Sequence, residues 1–220
     1  MESINIGRVP RDARDTRRAL IRAGERLFAR QGVDGARTAD IRRAAGQQNE
    51  SALHYHFGSR DGLLVAILRK HLEATEPERG RALAAAEHDG GASLPGLVAA
   101  LVLPDAACLH REDGRDYLRI IAQIAGSAGI QQGPVRLPVT GSALARVLDL
   151  LVRETSARVP EPVARERVAT VIGFLTFALA DRARRIEADD PALPPHEAFT
   201  ADLTAMLVAA LCAAPAADRP

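Results

Sequence analysis

Apolar residues recur at helical spacing along most of the chain, and no segment alternates at the two-residue period of a strand. Leu20, Ala23, Leu27 and Phe28 form one stripe of a helix that Asp15 caps and Gly32 stops. Gly24 lies inside it, where an isolated glycine is tolerated. Thr38–Ala45 predicts a short second helix, with Ile41, Ala44 and Ala45 apolar and Gly46 at its end. Gln47 and Gln48 form a turn. Asn49 is the expected N-cap of a third short helix, Glu50–His56, which Gly58 breaks. Ser59 or Asp61 then caps a longer helix to Glu76, with Leu63, Leu64, Ile67, Leu68 and Leu72 on its apolar face and Pro77 as its stop.

The remaining pattern is also helical. Glu78–Glu87 precedes a break at His88–Gly91, and Ser93–Leu103 ends at Pro104. Arg115–Ala128 carries Tyr117, Leu118, Ile120, Ile121 and Ile124, and a loop follows over Gly129–Pro138. Ser142–Ser156, a long helix opened by Pro162 and running to Asp189, and Glu197–Ala213 complete the series. The expected fold class is all-α: a head of three short helices with a helix-turn-helix, then a larger helical body.

Composition agrees with that class. The chain has 220 residues, and 47% are hydrophobic, enough to bury a sizeable core. Alanine, the best helix former, occurs 42 times, and arginine supplies 28 of the 29 basic residues. Two cysteines, Cys108 and Cys212, make no disulfide framework. The first residues lack the apolar core of a signal peptide, and no stretch reaches the ~18 apolar residues of a spanning helix. The expected setting is the reducing cytoplasm, with no membrane partner.

The overall charge of +1 conceals an asymmetry. Residues 1–60 carry 12 arginines against 7 carboxylates, a net of +5, whereas the other 160 residues are net −4. Arg8, Arg11 and Arg14 mark a basic arm ahead of the first helix. A basic first quarter suits a polyanionic partner.

Thr38–Phe57 supplies the chemistry such a partner needs. Two short helices around a glycine-containing turn make a helix-turn-helix, whose second helix enters the DNA major groove while the first crosses the backbone. Ala52, Leu53 and Phe57 are expected to face inward, which leaves Asn49, Glu50, Ser51, His54 and Tyr55 for the groove.

These residues also carry a family resemblance. The run over residues 16–68 resembles the N-terminal domain of TetR-family transcriptional regulators. The marks are Leu27-Phe28 and Gln31-Gly32, then Ile41, Ala45-Gly46, Tyr55-His56-Phe57, Ser59-Arg60 and Leu63-Leu64. The resemblance implies a DNA-binding domain over residues 1–58 and a helical effector-binding and dimerisation domain over residues 59–220. It places Thr38 near the start of the second helix, Tyr55 against a phosphate, and Arg60 as a phosphate clamp. One departure stands out. Gly46 and Phe57 are one residue further apart than in the commonest pattern, so Gln48, Asn49 and Glu50 share the first groove-facing position.

The implied function is a DNA-binding transcriptional regulator, a homodimeric repressor of an inverted-repeat operator, released by a small apolar or amphipathic effector. Tyr117, Ile121, Phe174 and Phe177 are the candidate effector contacts. Val168, Val171, Ile172, Leu175 and Leu179, with Phe199, Leu203, Leu207 and Leu211, are the candidate dimer face on the last two helices. A sequence-independent nucleic-acid binder and a helical protein-interaction module are the alternatives. No phosphate loop or dinucleotide fingerprint occurs, and Gly126-Ser127-Ala128-Gly129 lacks the spacing and the strand of a nucleophile elbow. His54 and His56, two apart, point to different sides of a helix, and Cys108–Asp113 lacks a second ligand cluster. The expectation is therefore no enzyme, no cofactor and no metal.

Overall fold

A computed structural model describes residues 13–87, 92–128 and 139–214. The arm residues Arg8 and Arg11, the His88–Gly91 break and the Gly129–Pro138 loop lie outside them. The described residues form helices joined by turns, with no strand among them. None of these helices is long and apolar enough to cross a membrane.

The head comprises α1 (Ala13–Gln31), α2 (Thr38–Ala44) and α3 (Ala52–Phe57). They enclose Leu20, Ile21, Phe28, Ile41, Ala52 and Leu53 against Leu63, Leu64 and Ile67 of α4 (Arg60–Ala86). Ser59 caps α4 by accepting from the Gly62 amide at 2.9 Å. Gly24 does more than tolerate its helix. A Cβ there would lie 3.0 Å from Ile67 Cδ1 and Leu63 Cδ2, so the missing side chain lets α1 and α4 approach closely.

The body consists of the rest of α4 with α5 (Leu94–Ala107), a 3₁₀ turn (Cys108–His110), α6 (Glu112–Ala128), α7 (Ala143–Ser156), α8 (Glu161–Glu187) and α9 (His196–Cys212). α6 packs on α8 and on α1, α5 on α4 and α9, and α7 on α8. Two prolines expected to end helices lie inside them instead. Pro77 sits within α4 and Pro104 within α5. Each removes the amide that would bond the carbonyl four residues back. For Pro77 that carbonyl belongs to Glu73, an exposed residue that water reaches. For Pro104 it belongs to Ala100, which is fully buried, and Arg79 Nη1 donates to it at 3.0 Å. The same guanidinium donates to the Leu101 carbonyl at 3.1 Å and to Asp105 Oδ1 at 2.8 Å. A fully buried arginine thereby ties α4 to the interrupted turn of α5.

Head and body meet in a polar joint. Glu25 of α1 and His71 of α4 are buried, and their Oε1 and Nε2 atoms lie 2.9 Å apart. Lys70 Nζ donates to Glu25 Oε1 and to Asp113 Oδ2 of α6, both at 2.8 Å. The His71 ring stacks on Tyr117 at 4.5 Å. Further along, Gln123 of α6 accepts from the Val33 amide at 2.8 Å and donates to the Phe28 carbonyl at 3.4 Å. α6 therefore grips α1 at its middle and at its C-terminal end.

Candidate nucleic-acid interface

The turn between α2 and α3 decides what a partner meets. Gly46 turns the chain out of α2 with φ +66°, a conformation that favours glycine. The third helix then begins at Ala52, two residues later than the expected Glu50. Asn49 is not its N-cap. Its Oδ1 accepts from the Ser51 amide at 2.9 Å, an Asx turn that closes ahead of the helix, and Ser51 takes the N-cap place without a side-chain bond. The extra residue of the turn is thus absorbed before the helix starts.

Gln48, Asn49, Glu50 and Ser51 are exposed in this turn, and His54 and Tyr55 are exposed on α3. Tyr55 is 79% exposed, unusually open for an aromatic ring that no packing requires. Thr38, also exposed, opens α2. Behind this row Ala52 and Leu53 are buried as expected. Phe57 is half-buried, with the Arg17 guanidinium 5.3 Å from its ring centre.

Arg60 is placed differently from a free clamp. Its Nε donates to the Ala36 carbonyl at 2.9 Å, and its guanidinium lies 5.1 Å from the Phe28 ring centre. Nη1 comes within 3.5 Å of Asp61, and Nη2 is buried without a hydrogen-bond partner. The side chain anchors the start of α4 to the approach of α2. Arg42, which the sequence pattern did not single out, faces the turn: Nη1 donates to the Gln48 carbonyl at 3.0 Å. Its i, i+6 relation to Gln48 matches no simple helical signal.

In the body the four effector candidates do not form one lining. Tyr117 and Ile121 are buried in the core, whereas Phe174 and Phe177 are exposed. Phe177 lines a cleft of ≈580 Å³ with Ala29 of α1, Arg119 and Gln123 of α6, and Arg184 and Glu187 of α8. This lining is mixed rather than apolar. Arg119 Nη2 bonds Glu187 at 2.6 Å; burial raises the Glu187 pKa, but Arg119 and Arg115 outweigh it and hold the carboxyl below its ordinary range. The candidate dimer residues Val168, Val171, Leu175, Leu179, Leu203, Leu207 and Leu211 are buried in their own core, and Ile172 and Phe199 pack against it. A seven-residue apolar spacing cannot tell which of two helix faces points outward; the exposed apolar residues here are Val163, Phe174, Phe177 and Met206.

One group of metal-capable side chains gathers among the described residues: Glu25, His71 and Asp113. The Lys70 ammonium already bonds both carboxylates, at 2.8 Å each, and stands where a cation would. Burial lowers the Lys70 pKa, but hydrogen bonds to Asp113 and Glu25 more than offset this, and the pKa is raised. At Asp113 burial acts upward, yet bonds from Lys70 and Arg111 hold the carboxyl well below the usual carboxylate range.

A basic head, a glycine turn and an exposed polar second helix are now joined by a sequence match: residues 20–67 match the family described as bacterial regulatory proteins, tetR family. The match covers most of the head and the first turns of α4. No curated protein sequence matches the chain. Solved structures share its fold. A protein assigned to the tetR family of transcription regulators from Shewanella sp. PV-4 is 18% identical, with a TM-score of 0.57, covering 89% of this chain and 97% of its own. NalD of Pseudomonas aeruginosa, the secondary repressor of the MexAB-OprM multidrug efflux pump, is 20% identical, with a TM-score of 0.54, covering 89% and 95%. A TetR variant from Acinetobacter baumannii AYE, solved with minocycline, is 16% identical, with a TM-score of 0.50, covering 87% and 92%. The tetR fold accounts for both parts of this chain, the helix-turn-helix head and the helical body.

Proposed function

We propose that this chain is a homodimeric transcriptional repressor of the tetR family that binds an inverted-repeat operator and is released by a small amphipathic molecule. The observation that carries the reading is the row of exposed polar side chains, Gln48 to Ser51 with His54 and Tyr55, in a first quarter of the chain, residues 1–60, of net charge +5. Amide, carboxylate, hydroxyl and imidazole groups distinguish donor from acceptor patterns in the major groove. Residues 1–58 form the DNA-binding unit and residues 59–220 the effector and dimerisation unit, with α4 shared between them.

Base edges fall to Gln48, Asn49, Glu50, Ser51 and His54. Thr38, Tyr55 and the basic arm contact phosphates, which add affinity without sequence information. Arg60 belongs to the same interface and acts there by holding the start of α4, since Ala36 and Phe28 already engage it. Dimerisation uses the outward side of α8 and α9, where Val163, Phe174, Phe177 and Met206 are exposed. The effector site is the cleft beside Phe177, whose arginines and ring suit an amphipathic molecule better than a purely apolar one. Tyr117 and Ile121 respond to the effector from the core behind it.

Gel-shift titration of a duplex enriched from a random pool, against its scrambled counterpart, tests the reading together with light scattering. The expected result is a dimer that prefers the enriched duplex by about 1,000-fold or more. A monomer at micromolar concentration, or equal binding to both duplexes, contradicts it. Met206→Glu, which leaves the cleft lining intact, is expected to shift the dimer towards monomer.

A further inference from the structure

The start of α3 has little holding it from within. The helix has only six residues, and Ser51 offers it no side-chain cap. So short a helix is marginal alone: burial of Ala52 and Leu53 holds it on the head, and the preceding turn shapes how the chain enters it. Bonds within the turn shape that entry, among them the Ala52 amide donating to the Asn49 carbonyl at 3.2 Å. The Gln47 amide donates to the Arg42 carbonyl at 3.0 Å. Arg42 Nη1 donates to the Gln48 carbonyl at 3.0 Å, and Asn49 Oδ1 accepts from the Ser51 amide at 2.9 Å.

Arg42 makes one more approach. Its Nη2 lies 3.5 Å from Glu50 Oε1. The two ends of this pair differ sharply in burial: the Arg42 side chain is 20% exposed and that of Glu50 is 89% exposed. The arginine is thus anchored in the head, while the carboxylate stands in solvent among the groups that face a duplex. An unpaired carboxylate in that place is repelled by DNA phosphates, and a neighbouring guanidinium offsets this.

We propose that Arg42 is a positioning residue for operator reading: its fork holds the Gln48 carbonyl and the Glu50 carboxylate together, shapes how the chain enters α3, and aims Glu50 at the exocyclic amine of a cytosine. A carboxylate accepts a hydrogen bond from cytosine N4 in the major groove. The inference rests on the reading of the head as a sequence-specific DNA binder. The guanidinium is required because its planar fork serves two acceptors at once, which a lysine ammonium on a flexible stem does not reproduce.

The test uses the full-length protein, the duplex that the wild type enriches from a random pool, its scrambled counterpart, and copies of the enriched duplex with each C·G pair changed singly. Arg42→Ala is expected to weaken the enriched duplex by about tenfold or more and the scrambled duplex by less than about threefold. Arg42→Lys is expected to behave like Arg42→Ala, although it keeps the charge. Glu50→Gln is expected to lose preference at one C·G pair in each half-site, and to change that preference no further once Arg42 is replaced.

A phosphate-contacting Arg42 gives a different pattern. Both duplexes then weaken equally, the slope of log affinity against log salt shrinks by ~0.9 per lost contact, and Arg42→Lys restores binding; that pattern overturns the proposal. Should Arg42→Ala fail to fold, Arg42→Lys and Glu50→Gln decide. Wild-type discrimination in Arg42→Lys, or unchanged preference at every C·G pair in Glu50→Gln, overturns it too. A wild type that enriches no sequence overturns the parent reading and this one together. Enrichment with an Arg42→Lys variant equal to wild type overturns this one alone.

Discussion

In the head, the polar side chains between α2 and α3 stand in solvent, while in the body Arg79, Asp116 and Arg182 are buried among helices. The difference lies in what the groups bond. Arg79 serves the Ala100 carbonyl that Pro104 leaves without an amide, and Arg182 holds the α8–α9 connection through the Pro194 carbonyl at 2.7 Å. These two arginines complete the body's helices, and their bonds are internal. Gln48, Glu50, His54 and Tyr55 do little for the fold, and that is what leaves them available to a partner. Between the two regions lies the joint, where Glu25 and His71 are buried while Lys70 and Asp113 are partly exposed.

The contrast predicts unequal costs of truncation. Arg79→Ala strands Asp105 and the Ala100 carbonyl that Pro104 leaves without an amide, so a loss of about 3–5 kcal/mol in unfolding free energy is expected. His54→Ala and Tyr55→Ala are expected to stay within about 0.5 kcal/mol of the parent. Urea titration measures all three, and comparable losses in the two regions would break the contrast. In the joint, Glu25→Ala leaves the buried His71 and the partly exposed Lys70 each with one partner fewer, and a loss of about 2 kcal/mol is expected.

A pH titration sharpens the same point. The folded pKa of Asp113 lies below its unfolded value, so its contribution is fully present above the unfolded pKa of ~3.9. It is lost as pH falls from there through the folded value. Thermal midpoints of the wild type are expected to drop more steeply below pH 4 than those of Asp113→Asn. Parallel curves would remove Asp113 from the joint's electrostatics.

Two glycines separate packing in the joint from packing in the body. Gly24→Ala gains helix propensity but pushes a methyl group 3.0 Å from two buried side-chain ends, and a net loss of about 1 kcal/mol is expected. Gly80→Ala meets nothing within 4 Å, so propensity alone acts and a gain of up to about 1 kcal/mol is expected. Chemical denaturation giving both the same sign would show that Gly24 is not a close-approach position.

The smallest effect concerns the thiols. Cys108 is buried, and burial, with Asp105 nearby, pushes its pKa up to about 12. Cys212 is exposed. A thiol reagent at pH 8 is expected to label one cysteine in the native protein and two after denaturation.

How much of this the sequence made legible follows from the range of each signal. Ile41, Ala45-Gly46 and the buried Ala52-Leu53 pair lie within one short segment, and the head reads from them directly. Asn49 misled because the same residue type caps a helix or closes an Asx turn, and only the geometry of Ser51 separates the two. Pro77 and Pro104 misled for a different reason. A proline ends a helix unless the orphaned carbonyl finds another donor, and the donor for Ala100 is 21 residues away. The joint was invisible because Glu25, Lys70 and Asp113 come from three helices, with separations of 45 and 43 residues. The outward side of α8 is not legible in the sequence, because its buried and exposed apolar residues share one amphipathic rhythm.

The proposed function requires an exposed reader, presented twice by a self-associating body, to recognise one DNA site. Sequencing of duplexes enriched from a random pool by the full-length protein tests it most directly. The expected result is an inverted repeat with half-site centres about 10–10.5 base pairs apart, or a multiple of that spacing, and protection of both halves at the same protein concentration. A single unrepeated half-site, or a pool that stays random, would contradict it.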